Sequence, residues 1–353
     1  MSAKPLAVVT GGAGFIGSHM VDLLLAEGHR VHVIDSLIGG RLENLQQHKG
    51  NPDLVVEVRD LRDLAATDAL FTGASHVLHF GGIGDIVPSI ERPVDYLSTN
   101  VLGTVKVLEC ARHARVRKLV YAASSSCYGL AAVPTREDAP IACEYPYALS
   151  KYMGEEAVLH WGKAYQLPVN SIRIFNAYGT RSKTSGAYGA VFGVFLAQKL
   201  AGKPFTVVGD GTQRRDFLYV TDVARAFYLA AKTDLANHIW NLGAGNPQPV
   251  NRLVELLGGP VIHLPKRPGE PDCTWADIAK IQRDLGWRQL VPFEQGVASL
   301  LANIEYWRQA PVWDQASIAQ ATKTWFAFLG GTDQSRQSSP VSVEPPGGSR
   351  STG

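Results

Sequence analysis

Tyr147 and Lys151 stand four residues apart in the segment Tyr147-Ala-Leu-Ser-Lys151. On a helix that spacing puts a phenol and an ammonium on one face, one turn apart. A cation beside a tyrosine favours the phenolate, so the pair could take a proton from a hydroxyl near neutral pH. Upstream, the stretch Lys118-Leu-Val-Tyr-Ala-Ala-Ser124-Ser-Ser-Cys-Tyr-Gly129 reads as a strand ending in three hydroxyls. In an open α/β sheet, ligands sit at the carboxyl ends of the strands, so Ser124 can hydrogen-bond a reacting hydroxyl or carbonyl there. At least one of the three serines should merely satisfy backbone groups at the strand end. A second pair at the same spacing, Tyr228 and Lys232, lies on a helical pattern with no serine-bearing strand end before it, and reads as structural.

A glycine-rich turn opens the chain. Residues 10–17 read TGGAGFIG, with Gly11, Gly14 and Gly17 three apart, directly after an apolar strand pattern and before a helical one. Such glycines permit a tight turn and close approach of backbone to a pyrophosphate, which the positive end of the following helix stabilises. Asp35 ends the next strand pattern, where a carboxylate can accept both hydroxyls of an adenosine ribose and would repel a 2′-phosphate. NAD is therefore expected over NADP, with Arg41 as the one feature pointing the other way.

These residues need a frame to hold them. Apolar, β-rich runs at 6–10, 31–35, 54–58, 76–80, 118–123 and 169–175 alternate with helical patterns at 15–27, 94–114 and 145–166. Runs this apolar between helices are what a parallel sheet covered on both faces requires. The expected fold is a doubly wound α/β Rossmann domain over residues 1–176. Residues 177–330 should form a smaller, irregular α/β substrate lobe, from which the chain can cross back. Within it, elements are expected at 191–201, 205–208, 220–231, 250–257 and 277–285. Residues 331–353, rich in Ser, Pro and Gly, should be disordered.

Bulk properties exclude several function classes. With 45% hydrophobic and 19% charged residues and a formal charge of +2, the chain reads as globular, and its basic residues form no run that would track nucleic acid. Cys110, Cys127, Cys143 and Cys273 make no CxxC pair, which argues against zinc and against a disulfide framework. A reducing cytoplasm is the expected setting, and neither a signal peptide nor a membrane span is expected. The histidines lack ligand spacing, so no metal site is expected.

Taken in order, TGGAGFIGSH, the Asp35 strand end, SSSCYG, YALSK and RIFNAYG resemble the extended short-chain dehydrogenase/reductases. Within these the likeness is greatest to the UDP-glucose 4-epimerase branch of the NAD-dependent epimerase/dehydratases, and it covers roughly residues 5–305. The resemblance implies that Ser124, Tyr147 and Lys151 form the catalytic triad. By the same likeness Gly11, Gly14, Phe15, Ile16, Gly17, Asp35 and Ser36 hold NAD; Asp60 and Leu61 flank the adenine; Phe80, Gly81, Gly82 and Asn100 line the cofactor cleft; and Tyr147 and Lys151 also contact the cofactor, Lys151 at the nicotinamide ribose. Ser126, Asn176, Arg215, Arg267, Glu270 and Thr274 take positions that hold the nucleotide-diphosphate sugar, a UDP-sugar or a related one. Arginine forks suit phosphate oxygens, and a carboxylate suits a ribose diol. Thr274 would face the sugar's C2 substituent and leave room for an N-acetyl group. Gly84 departs from the pattern, standing where a glucose epimerase often has lysine. The helices at 94–114 and 145–166 resemble those that pair subunits, so a homodimer is expected.

The reaction implied is 4-epimerisation. Dehydratases and decarboxylases that this chain resembles carry an acid just after the catalytic serine or threonine, where this chain has Ser125 and Ser126. The 3,5-epimerases use a cysteine two places before the tyrosine; Cys127 is one place before Tyr128 and reads as buried filler. A 4,6-dehydratase, a 4-ketosugar reductase/epimerase and a non-catalytic dinucleotide sensor are the alternatives. An epimerase leaves its cofactor bound, whereas a reductase consumes NAD(P)H.

Overall fold

The computed structural model describes residues 4–182, 184 and 191–329. Seven parallel strands form the central sheet: β1 (Leu6–Thr10), β2 (Arg30–Asp35), β3 (Leu54–Val58), β4 (Ala74–His79), β5 (Lys118–Ser124), β6 (Val169–Ile174) and β11 (His238–Leu242). Their order is β11-β6-β5-β4-β1-β2-β3. β1, β5 and β6 are buried along their whole length, as strands covered on both faces must be. The order reverses between β1 and β4, and a doubly wound sheet opens its ligand crevice at that point.

One face of the sheet is covered by α1 (Phe15–Ala26) and α7 (Val220–Lys232), packed on each other. The other carries α2 (Ile86–Glu91), α3 (Pro93–Leu97), α4 (Gly103–His113) and α5 (Pro146–Tyr165). The helix expected at 94–114 is broken by a π-helical turn at Ser98–Leu102, which carries Asn100. The boundary expected at residue 176 is crossed twice. α7 and β11 return from the second lobe to complete the first, because the sheet edge beyond β6 needs a partner and α1 needs an apolar neighbour.

The second lobe holds β7 (Asn176–Tyr178), α6 (Val191–Leu200), β8 (Phe205–Val208), β9 (Arg214–Arg215), β10 (Phe217–Tyr219), β12 (Gln248–Pro249), α8 (Val250–Leu257), β13 (Val261–Leu264) and α10 (Phe293–Ala302), while α9 (Ala279–Leu285) packs on β11 and α7 of the first. Tyr178 stacks on Phe192 and Phe217 on Phe293 at its centre. A last helix, α11 (Gln315–Leu329), leaves this lobe and packs on α2 of the first. Among the described residues no helix is long and apolar enough to cross a membrane. The tail expected to be disordered lies outside the described residues.

Candidate active site

The glycine turn is built for close approach. Gly11 has φ +67°, and a Cβ there would come within 2.8 Å of the Gly81 amide nitrogen. A Cβ on Gly17 would lie 2.1 Å from the Gly11 carbonyl oxygen, so α1 rests directly on the turn. The helix starts at Gly14 with no side-chain cap and no acid in its first turn, which leaves its N–H groups and positive end for an anion. Phe15 and Ile16 offer backbone there, while their side chains pack on the second lobe's core.

Asp35 is buried, and burial raises its pKa. It accepts hydrogen bonds from the Ala13 N–H at 2.9 Å and the Leu37 N–H at 2.8 Å. A carboxylate has about four lone-pair sites, so acceptor capacity remains for a ribose diol. Arg41 is turned to the Thr184 hydroxyl, 2.5 Å away, and over the Tyr306 ring. Ser36 is exposed at the strand end.

Three cleft residues are engaged with neighbouring side chains and backbone. The Asp60 carboxylate is held by Arg62, which keeps its pKa below the usual carboxylate range. Phe80 turns its ring onto Phe227, 4.5 Å between centroids, and gives the cleft only backbone. Asn100 is a brace: its amide donates to the Ile83 carbonyl and the Ser150 hydroxyl and accepts from the Ile83 N–H. Gly81 and Gly82 leave the space those side chains need, since Cβ atoms there would meet Leu61 at 2.5 Å and Asn100 at 2.8 Å.

The triad converges at the end of β5 and the start of α5. Pro146 at the first position of α5 sets the helix entry, and Ser150, bonded to the Tyr147 carbonyl at 2.8 Å and to Asn100, pins the first turn. Tyr147 feels opposed influences. Burial and, less, the Asp85 charge raise its pKa, the Ser124 hydroxyl hydrogen bond lowers it, and the net shift is upward. Lys151 is buried with its ammonium 4.3 Å from the Tyr121 ring centroid. Burial pulls it down to about 7, against the opposing charge of Glu155. Glu155 is itself locked by Arg173, whose Nε donates at 3.0 Å, and by the Ser171 hydroxyl. Near neutrality Lys151 can thus carry or release its proton.

Ser124 also accepts from the Ser126 N–H at 3.2 Å, so it caps the following turn as well as facing Tyr147. Ser126 meets the Tyr145 phenol. Cys127 is buried, with its thiol pushed up to about 12. The second tyrosine–lysine pair is an outer-face contact: Tyr228 donates to Glu27, and Lys232 sits over its ring.

The second-lobe candidates gather at one place. Arg215 Nη2 donates to Glu270 at 2.6 Å, and Arg267 lies 3.9 Å from the other Glu270 oxygen. That oxygen, Oε2, is buried without a hydrogen-bond partner, a receptive acceptor between two guanidinium groups. Thr274 donates to Asn176 Oδ1 at 2.6 Å and accepts from the Asp216 N–H at 3.4 Å. Its proton is therefore spent on Asn176.

Three further residues shape the site. Asp85, at φ +80°, pushes the Tyr147 pKa up with its charge. Tyr96 packs edge-on to Tyr147 and donates to the Gly84 carbonyl. Asp216, fully buried, accepts the Ala244 and Ala276 N–H groups at 2.9 Å each and knits the Arg267–Thr274 segment to the sheet. Neither of the first two belongs to a motif that the sequence displays. Asp216 follows Arg215 in the same short strand region, and its burial has no sequence signal.

A family model described as the NAD dependent epimerase/dehydratase family matches residues 7–243. The UDP-glucose 4-epimerase of Mycolicibacterium smegmatis is 34% identical over 311 residues, covering 85% of this chain and 98% of that protein. The solved UDP-N-acetylglucosamine 4-epimerase of Methanobrevibacter ruminantium, in complex with UDP-N-acetylmuramic acid, superposes with a TM-score of 0.80 at 28% identity, over 86% of this chain and 100% of its own. The dTDP-glucose 4,6-dehydratase of Streptomyces venezuelae, with NAD bound, gives 0.79 at 29% identity, over 86% and 99%. With more than half its length matched and its glycine turn, serine-ended strand and tyrosine–lysine helix all in register on the expected sheet, the chain belongs to the NAD dependent epimerase/dehydratase family.

Proposed function

We propose that the chain is a nucleotide-sugar 4-epimerase that uses NAD and acts on a UDP-sugar. The observation that carries this reading is the convergence of Ser124, Tyr147 and Lys151 at the end of β5 and the start of α5, with neutral Ser125 and Ser126 beside them. The residues fit a dinucleotide: the Gly11–Gly17 cradle would be filled by any Cβ, the start of α1 is uncapped, and Asp35 keeps acceptor capacity. NAD, when bound, supplies the reversible hydride acceptor that oxidises and then re-reduces C4.

This chain's own residues do the rest. Tyr147 takes the O4 proton as the carbonyl forms and returns it on reduction. Ser124 positions the oxygen. Lys151, held near its titration point, stabilises the phenolate by charge when protonated. Arg215 and Arg267 keep the diphosphate while the 4-keto sugar turns to offer its other face, and Glu270 takes the ribose. Asn176, fixed by Thr274, lines the sugar end. Removing a C5 proton or expelling a C6 hydroxyl would need an acid or base just after Ser124, where this chain has Ser125 and Ser126.

Exposed Leu102, Leu149 and Met153, on the π-helical turn and α5, support pairing of two chains through these helices. The test is incubation of the pure protein with UDP-, GDP-, CDP- and dTDP-sugars, products resolved by NMR. A C4 epimer without loss of water or carbon dioxide is expected. Tyr147→Phe should abolish turnover and keep NAD binding; a variant retaining a tenth of wild-type rate, or a dehydrated product, would overturn the reading.

A further inference from the structure

α11 lies well past residue 243, where the family match ends. The solved relatives are spanned over 99–100% of their length by 86% of this chain, so about 50 of its residues have no counterpart in them. The family match starts at residue 7, which leaves room for little of that excess at the front.

The helix is seated across three walls of the site. Trp325 and Leu329 are buried with Val87 of α2, and Ile86 and Ala321 pack against them. The Trp325 indole N–H donates to the Pro268 carbonyl at 2.8 Å, inside the Arg267–Glu270 segment. Leu329 lies against Gly269, 3.3 Å from where a Cβ would stand. The Trp325 ring also meets the Tyr145 ring, 6.3 Å between centroids, two residues before Tyr147. Thr324 donates to Glu91 at the end of α2 at 3.0 Å. One helix therefore joins the loop bearing Arg267 and Glu270 to α2, which begins just after Asp85, and to the start of α5.

We propose that α11 is a strap that holds the Arg267–Glu270 segment against the catalytic lobe in its nucleotide-binding position, with Trp325 as the positioning residue that pins it. This rests on reading that segment as the nucleotide site. Without the strap the segment keeps its residues but occupies the binding geometry for a smaller fraction of the time, and apparent affinity falls by that fraction. The dinucleotide cradle, on the far side of the cleft, is untouched.

The experiment measures UDP and NAD binding by calorimetry, and KM and kcat, on the full-length protein, on Trp325→Ala and on a chain ending at Asp314. The strap predicts UDP affinity lowered about tenfold or more in both variants, KM raised in step, kcat within about twofold and NAD affinity unchanged. Trp325→Phe, which keeps the ring and loses the N–H, should fall between. UDP affinity within about twofold of wild type in both variants would overturn the strap, as would NAD affinity falling alongside it. UDP binding is read without turnover. A wild-type protein that binds UDP yet epimerises no sugar would therefore refute the proposed reaction and leave the strap standing.

Discussion

Gly17→Ala puts the cofactor cradle to a quantitative test. A methyl at Gly17 would stand 2.1 Å from the Gly11 carbonyl oxygen and 2.8 Å from its carbon, where ordinary contact begins near 3.4 Å. The obstacle is backbone and is itself pinned: the Gly11 N–H donates to Ile34 at 2.8 Å, and the Gly14 N–H donates to Gly11 at 3.0 Å. The start of α1 must therefore retreat by roughly 1 Å, at the usual overpacking cost of about 1–3 kcal/mol. That displacement carries the open N–H groups of the first turn away from the pyrophosphate. Hydrogen bonds to a charged group contribute about 1.5–3 kcal/mol each, and losing one or two corresponds to a fall in affinity of roughly ten- to ten-thousandfold. Calorimetric titration with NAD should show that fall, with the melting temperature lowered by several degrees. Gly39→Ala, whose methyl meets nothing within 4 Å, is the control and should bind as wild type. NAD affinity within threefold of wild type in Gly17→Ala would refute the cradle.

Two further outcomes follow from particular side chains. Thr274→Tyr should lower activity on a UDP-N-acetylhexosamine far more than on the plain UDP-hexose, because the added ring occupies the room beside Asn176; equal losses in a comparison of kcat/KM would remove Thr274 from specificity. His79, fully buried between Thr10 and Thr104 hydroxyls, is lowered to about 3 by burial. The folded state stays neutral there while the unfolded chain takes up a proton below about 6.5, so this residue's contribution is complete above that pH and is lost at about 1.4 kcal/mol per unit as pH falls from 6.5 toward 3. An NMR titration should show the His79 ring unchanged from pH 7 to 5, and a titrating ring would contradict its assigned surroundings.

The first lobe was readable because its signals are local. Apolar strand runs and the TGGAGFIG turn fix β1 and α1 within a residue or so, and YALSK places Tyr147 and Lys151 on one helical face. What stayed hidden depends on contacts far apart in the chain. Asn100 sits on a π-helical turn that points its amide at Ile83 and Ser150, bonds that no motif announces. β11, which closes the sheet, is a short run whose partner β6 lies more than sixty residues earlier. α11 was not among the expected elements, and its place depends on Trp325 meeting Pro268 and Tyr145, far off in the chain. The Arg215–Glu270–Arg267 cluster could be named from motifs, but not the unsatisfied Glu270 oxygen between the guanidinium groups.

The central claim is that C4 is oxidised and re-reduced at one site, with Tyr147 moving the proton. Its most direct test is a UDP-hexose carrying deuterium at C4, incubated with the pure protein in ordinary water and followed by NMR and mass spectrometry. The account predicts a product inverted at C4 that keeps its deuterium, with no net formation of NADH and no turnover by Tyr147→Phe. Deuterium lost to water, inversion at another carbon, or inversion that persists in Tyr147→Phe would contradict it.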